Sequence, residues 1–187
     1  MHPFCLSCIN DIADKLDPSL TVRLFADDCL IYSRISSQED QVKLNLGLKV
    51  INDWCTEWKM KINYKKTVYA RLTNKTKNIL LFDYEFDGTP LARVSNFKYL
   101  GVTITEDLNW NMHINNICCS AERRLWSLRR KLKGASWEAK LAAYLTLVRP
   151  VQEYASVVWD PFRNYQIDRI ERIPRRAARF ILSKYRT

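Results

Sequence analysis

At 187 residues, with 47% apolar and 27% charged side chains, the chain is long enough to bury one compact core or two small lobes, and its composition argues against disorder. No apolar run approaches the ~18 residues of a membrane span and no targeting stretch opens the chain, so the expected location is intracellular, nuclear or cytoplasmic, with no membrane partner. The net charge of +10 is uneven: residues 1–110 hold 14 basic and 14 acidic side chains, residues 111–187 hold 16 and 6, so the basicity belongs to the C-terminal part.

Taken in chain order, Ile9, Ile12, Ala13 and Leu16 share one face of a short predicted helix that Asp17-Pro18-Ser19 ends. Thr21 to Phe25 and Cys29 to Ser33 read as strands, with Ala26-Asp27-Asp28 at the tip of the hairpin between them. Two neighbouring carboxylates in an apolar run repel each other and resist burial, so the pair is either a solvated turn or a site for a bound cation. Ser36-Ser37 followed by Gln38-Glu39 marks a helix start, and Leu44, Leu48, Ile51, Cys55 and Trp58 form its inward stripe to about Lys59.

Met60 to Leu72 alternates loosely as a strand into a polar turn. Asn78 to Phe86, the turn Asp87-Gly88 and Thr89 to Val94 read as a hairpin. Phe97 to Ile104 reads as one more strand, with Gly101 marking a bulge or a close backbone approach. Beyond Asp107 the apolar period becomes helical: Ile114, Cys118, Ala121, Leu125, Leu128 and Leu132 mark one helix. Trp137 to Leu147 forms a second, closed by Arg149-Pro150, and Tyr165 to Lys184 a third, with a kink expected at Pro174. The fold class is therefore α+β, with a mixed lobe over 1–110 and an all-helical basic lobe over 111–187.

Cys5, Cys8, Cys29, Cys55, Cys118 and Cys119 include no second ligand pair beside their Cys-x-x-Cys, and His2 and His113 sit at no metal-finger spacing, which favours reduced, buried thiols over zinc. Trp54, Trp58, Trp110, Trp126, Trp137 and Trp159 are expected in the core rather than as base-stacking platforms.

Phe25-Ala26-Asp27-Asp28 on a hairpin tip resembles the aspartate-pair motif of reverse transcriptases, in the form found in retrotransposons lacking long terminal repeats (non-LTR, LINE-like). Further segments match in order: Ile9-Asn10-Asp11-Ile12, Asn63-Tyr64-Lys65-Lys66-Thr67 and Phe97-Lys98-Tyr99-Leu100-Gly101-Val102. Then come Arg149-Pro150-Val151-Gln152-Glu153-Tyr154-Ala155, Val158-Trp159-Asp160-Pro161 and Arg175-Arg176-Ala177-Ala178-Arg179. The resemblance covers almost the whole chain and implies a partial polymerase palm of antiparallel strands with packed helices, followed by a helical thumb. The family's fingers and a further metal-binding palm aspartate precede the segment that matches here, so the expectation is a fragment inactive by itself.

By the same resemblance, Asp27 and Asp28 are catalytic metal ligands for Mg2+ (or Mn2+), two ions in the complete polymerase. Lys66 approaches the phosphates of a deoxynucleoside triphosphate, or else is an ordinary surface lysine beside Lys59, Lys61 and Lys65. Phe97, Tyr99, Leu100 and Gly101 lie in a segment similar to the hairpin that holds the primer end, where Gly101 lets backbone approach nucleic acid. The partners implied are an RNA template and a DNA primer.

Helical geometry adds an independent reading. At 100° per residue, Arg169, Arg172, Arg176 and Arg179 span about an 80° arc, opposite Ile167, Ile170, Ala177 and Ile181. Arg123, Arg124, Arg130 and Lys131 lie opposite the stripe from Ile114 to Leu132. Two such faces in the lobe that holds the whole charge excess favour contact with a phosphate backbone. The expected function is RNA-directed DNA polymerase chemistry; the alternatives are a catalytically dead nucleic-acid-binding module and an unstable remnant of a decayed element.

Overall fold

The computed structural model describes residues 10–75 and 80–183. Cys5, Cys8, His2, Ile9, Asn78 and Lys184, on which parts of the predicted elements rest, lie outside the described residues. The chain divides into two compact units, 1–94 and 95–187, so the change of period near residue 110 falls inside the second.

In the first unit, a 3₁₀ helix (Asn10–Lys15) stands where an ordinary helix was predicted, since six residues are too few to offset an α-helical nucleus. It leads into β1 (Thr21–Phe25) and β2 (Asp28–Tyr32), antiparallel with Phe25 opposite Asp28. The turn is thus Ala26-Asp27, and Asp28 is the first residue of a strand rather than part of the tip. Helix α1 (Gln38–Glu57) starts at Ser37, whose hydroxyl accepts from the Asp40 N–H while the Asp40 carboxylate accepts from the Ser37 N–H, closing a capping box. The same carboxylate accepts the Ser36 N–H at 2.9 Å, and this bond first, then that from the Ser37 N–H, holds the Asp40 carboxyl below its ordinary value.

Leu48, Ile51, Trp54 and Cys55 of α1 pack with Ile12, Leu16, Leu20, Tyr84 and Phe86. Trp54 takes the place predicted for Trp58, because the helix ends at Glu57 and leaves Trp58 at its exposed cap, tilted over Trp54 at 6.1 Å. Of the strand expected over Met60–Leu72, β3 (Val68–Tyr69) alone is paired. Ahead of it the Asn63 carbonyl gathers the Lys66 and Thr67 N–H groups and the Thr67 hydroxyl into a turn. The closely spaced lysines 59, 61, 65 and 66 suit such an exposed turn better than a half-buried sheet.

β4 (Glu85–Phe86) and β5 (Thr89–Pro90) flank Asp87-Gly88, whose φ angles of 52° and 68° are those that the predicted turn dipeptide favours. β6 (Ala92–Arg93) pairs with β3 in parallel, against the expectation of antiparallel strands throughout. Among the described residues the strands form four two-stranded pairs.

In the second unit, the segment that its pattern read as one strand and the family resemblance read as a hairpin is a hairpin: β7 (Asn96–Tyr99) and β8 (Val102–Thr105) turn at Leu100-Gly101, with φ of 45° and 85°. Helix α2 (Asn111–Lys131) buries the predicted stripe from Ile114 to Leu128, with Leu132 half-buried beside it. Helix α3 (Trp137–Leu147) is followed directly by α4 (Arg149–Glu153), so Arg149-Pro150 opens a helix rather than closing one, as suits proline in a first turn. α5 (Ser156–Trp159) leads to α6 (Asn164–Ile181), which runs through Pro174 without ending.

The helical core is Ile114, Ala121, Leu125, Val148, Trp159, Ile173, Ala177 and Phe180, each 3% exposed or less, with Cys118, Leu128, Tyr144 and Ile181 around them. On α6 Ala177 and Ile181 are buried and Ile170 packs against the core as expected, but the face is turned toward Ile173 and Phe180, which are buried, and away from Ile167, which is exposed. Three tryptophans predicted to be buried, Trp58, Trp126 and Trp137, are exposed, and Cys29 and Cys119 are exposed residues, unlike Cys55 and Cys118, although burial of the Cys29 thiol pushes its pKa up to about 11. Among the described residues no helix is long and apolar enough to cross a membrane.

Candidate functional site

The β1–β2 hairpin holds the acidic pair. Two-residue closure forces Ala26 to φ 53°, a left-handed conformation that costs a non-glycine residue about 1–3 kcal/mol and marks sites where geometry is imposed. Gly47 of α1 lets the hairpin come close: a Cβ there would meet Leu20 Cδ1 at 2.5 Å and Ile31 Cδ1 at 3.3 Å. Glycine inside an apolar helical stripe was the available signal for this contact, and it was missed.

Asp27 and Asp28 are both exposed, and neither carboxylate makes a hydrogen bond or ion pair among the described residues. In kind, these oxygens fit a magnesium-like ion, which takes carboxylate oxygens and keeps several waters. In number they are few, since among the described residues no three His, Cys, Asp or Glu side chains cluster as a metal cage. Lys66, in the same unit, is exposed at the Asn63–Thr67 turn, and its ammonium forms no ion pair with either aspartate. Lys61, Asn63, Tyr64, Lys65 and Thr89 line a shallow depression that Lys66 does not join.

In the second unit the hairpin turn and α2 do come together. Lys98, Gly101, Asn116, Arg123, Arg124 and Tyr154 line one open cleft, with Phe97, Tyr99 and Leu100 partly buried in the hairpin above it. Arg124 donates to the Leu147 carbonyl at 3.0 Å and Arg123 to Ser120 Oγ at 3.3 Å, contacts that hold both guanidinium groups at the rim. Arg130 and Lys131 extend the basic face and make no hydrogen bond or ion pair among the described residues.

The predicted arginine arc on α6 is less free than its spacing implied. Arg176 pairs with Glu122 of α2 at 2.6 Å, the Arg169 charge acts on the buried Cys118 thiol and Arg179 donates to the Arg175 carbonyl at 3.3 Å; Arg172 makes no hydrogen bond or ion pair among the described residues.

Two residues of this unit went unassigned in the sequence. His113 is 1% exposed, and its Nδ1 accepts the Thr103 N–H at 3.2 Å. Burial first, and the Lys98 charge second, push its pKa below the ordinary 6.5, so the ring is neutral at pH 7 with its proton on Nε2. Tyr154 donates to the Leu100 carbonyl at 2.9 Å. The signal for Tyr154 lay in the Arg149–Ala155 segment, to which no task had been given.

The sequence pattern of the family described as reverse transcriptase (RNA-dependent DNA polymerase) matches residues 4–104, more than half of the chain and all of the acidic hairpin. The chain belongs to the reverse transcriptase family. Its likeness is to polymerases of non-LTR retrotransposons. It is 30% identical over 162 residues to a probable RNA-directed DNA polymerase from transposon BS of Drosophila melanogaster, covering 84% of this chain and 18% of the relative. It is 24% identical over 155 residues to the RNA-directed DNA polymerase from mobile element jockey of Drosophila funebris, covering 80% of this chain and 17% of the relative. The probable RNA-directed DNA polymerase from transposon X-element of Drosophila melanogaster matches at 24% over 165 residues, 84% of this chain and 18% of that protein. The chain thus spans less than a fifth of the length of these relatives. No solved structure matches it.

Proposed function

We propose that this chain is the later palm and thumb of an RNA-directed DNA polymerase of a non-LTR retrotransposon, with Asp27 and Asp28 as ligands for Mg2+ or Mn2+. The observation that carries the reading is a pair of exposed carboxylates, unpaired among the described residues, on the last turn residue and the first strand residue of a tight hairpin inside the family-matched segment. Without a counter-ion, adjacent aspartates gain nothing from being held side by side.

When bound, divalent cations supply activation of the attacking hydroxyl and neutralisation of the leaving pyrophosphate. The residues of the chain do the rest. Asp27 and Asp28 offer hard oxygen donors at a turn whose backbone admits little freedom. Lys66 carries on Nζ a proton and a charge suited to a triphosphate oxygen of the incoming deoxynucleotide. The β7–β8 hairpin and the basic face of α2, with Arg172 on α6, hold an RNA template and DNA primer by their phosphates, while Arg169, Arg176 and Arg179 join them only where nucleic acid displaces their contacts within the chain.

Two carboxylates are too few to hold two ions in register, so the chain by itself is expected to give no primer extension with either metal. The test joins that assay to Mn2+ titration followed by electron paramagnetic resonance. We expect saturable Mn2+ binding that disappears in the Asp27→Asn, Asp28→Asn double variant. Binding unaltered by the double substitution overturns the metal assignment, and processive extension by the wild-type chain overturns the claim of incompleteness.

A second reading, a nucleic-acid-binding module without catalysis, is favoured by Arg130, Lys131 and Arg172, which are unpaired among the described residues, and by the charge excess of residues 111–187. It predicts salt-sensitive binding to primer–template duplex that survives Asp27→Ala with Asp28→Ala.

A further inference from the structure

The segment from Arg149 to Trp159 is singled out by the sequence and left without a task by the polymerase chemistry. Tyr154 of this segment touches the β7–β8 hairpin directly, and Trp159 reaches it through His113. Tyr154 is 56% exposed, so burial does not hold it in place. Its backbone does: the Tyr154 N–H closes α4 on the Pro150 carbonyl at 3.1 Å, and its carbonyl accepts the Trp159 Nε1–H at 2.9 Å. Trp159 is 2% exposed and lies edge-on to His113 at 5.3 Å, while His113 in turn accepts the β8 N–H of Thr103.

The tyrosine side chain reaches from this anchor to the turn. Its hydroxyl donates to the Leu100 carbonyl, and its ring lies against Gly101 so closely that a Cβ there would stand 3.0 Å from Tyr154 Cε1. Leu100 and Gly101 are both left-handed, and at Leu100, a non-glycine residue, that conformation costs about 1–3 kcal/mol, so the turn gains from a contact made outside the hairpin. An exposed aromatic anchored through its main chain and spending its hydroxyl on a turn carbonyl acts as a strap.

We propose that Tyr154 is a positioning residue: it straps the Leu100-Gly101 turn against the α4–α5 segment and so sets where Lys98 and the Gly101 backbone meet one particular phosphate of a bound primer–template duplex. The phosphate half of this statement rests on the function proposed above; the strap itself does not.

The experiment uses the full chain with Tyr154→Phe, which keeps the ring and removes the hydroxyl. Tyr165→Phe serves as control, since it deletes another exposed tyrosine hydroxyl bond, to Asn111 Oδ1 at 2.7 Å, that does not touch the turn. Amide hydrogen exchange at Leu100, Gly101 and Val102 reads the strap. Affinity for a set of duplexes, each with one primer phosphate replaced by a neutral methylphosphonate, reads the phosphate.

We expect exchange at the turn to quicken about 5-fold in Tyr154→Phe, the size of one net hydrogen bond, and to be unchanged in Tyr165→Phe. In the wild-type chain one substituted linkage should weaken binding more than its neighbours, and that contrast should vanish in Tyr154→Phe alone. A merely structural role would lower affinity for every duplex alike and leave the contrast in place. Unchanged exchange at the turn overturns the strap. Faster exchange with no linkage contrast in the wild-type chain, or no duplex binding at all, overturns the phosphate assignment.

Discussion

Acidification of the medium from pH 6.5 to 5 should destabilise the second unit through His113. The ring is buried between the Trp110 and Trp159 edges, at 6.5 and 5.3 Å, with Lys98 as the nearby cation that disfavours its charge. Its folded pKa lies below the ordinary 6.5, so over this interval the unfolded chain takes up the proton first and stability falls as pH falls. Above pH 6.5 the full contribution is present; below the folded pKa this group's dependence ends. One proton bounds the slope at about 1.36 kcal/mol per pH unit. The carboxyls of Asp17, Asp40 and Asp107, held below 3.8 by hydrogen bonds, add their losses only in more acidic solution.

His113→Phe isolates the effect. It strands the Thr103 N–H, at about 1–3 kcal/mol, but also deletes the buried and unpartnered Nε2, a gain of similar size, so the absolute change is smaller than either. The pH slope decides instead. Urea unfolding at half-unit steps from pH 7.5 to 5 should show the slope in the wild-type chain and its loss in the variant. Equal slopes in the two proteins would refute the reasoning.

Ser37→Ala should cost about 1 kcal/mol by opening the capping box of α1, read as a lower urea midpoint at unchanged m. Gly47→Ala should destabilise despite a helix-propensity gain of about 1 kcal/mol, because its Cβ meets Leu20 at 2.5 Å; a raised melting temperature would contradict that packing. Ile173→Ala, at a site with no exposed surface, should cost about 2–5 kcal/mol, whereas Glu122→Gln, which breaks the half-exposed pair with Arg176, should cost under about 1 kcal/mol and less still at high salt. Equal losses for the last two would invert the ranking of burial over surface charge.

Periodicity was enough to locate α1, α2 and α6, because each buries a stripe whose spacing is written in local sequence, although on α6 the buried face is turned from the expected one. Asp87-Gly88 was legible because its turn demands left-handed backbone at both positions. The acidic pair was legible for the opposite reason: two carboxylates violate the apolar pattern around them, and such violations mark sites. Short elements were not legible in the same way. Asn10–Lys15 and the β7–β8 hairpin have too few residues for period to separate a 3₁₀ turn from a helix or two strands from one.

What the sequence by itself determined is the place of the longer helices and of two hairpin turns, the location of the positive charge and the reverse transcriptase resemblance. What tertiary structure alone decided is how individual side chains are engaged. Arg176 is committed to Glu122, Trp54 rather than Trp58 fills the core, His113 is neutral, and Tyr154 crosses 54 residues to reach Leu100. The physical reason is that burial stripes and turn dipeptides act between near neighbours in the chain, whereas a hydrogen bond or ion pair across the fold depends on which distant surfaces packing brings within about 3 Å.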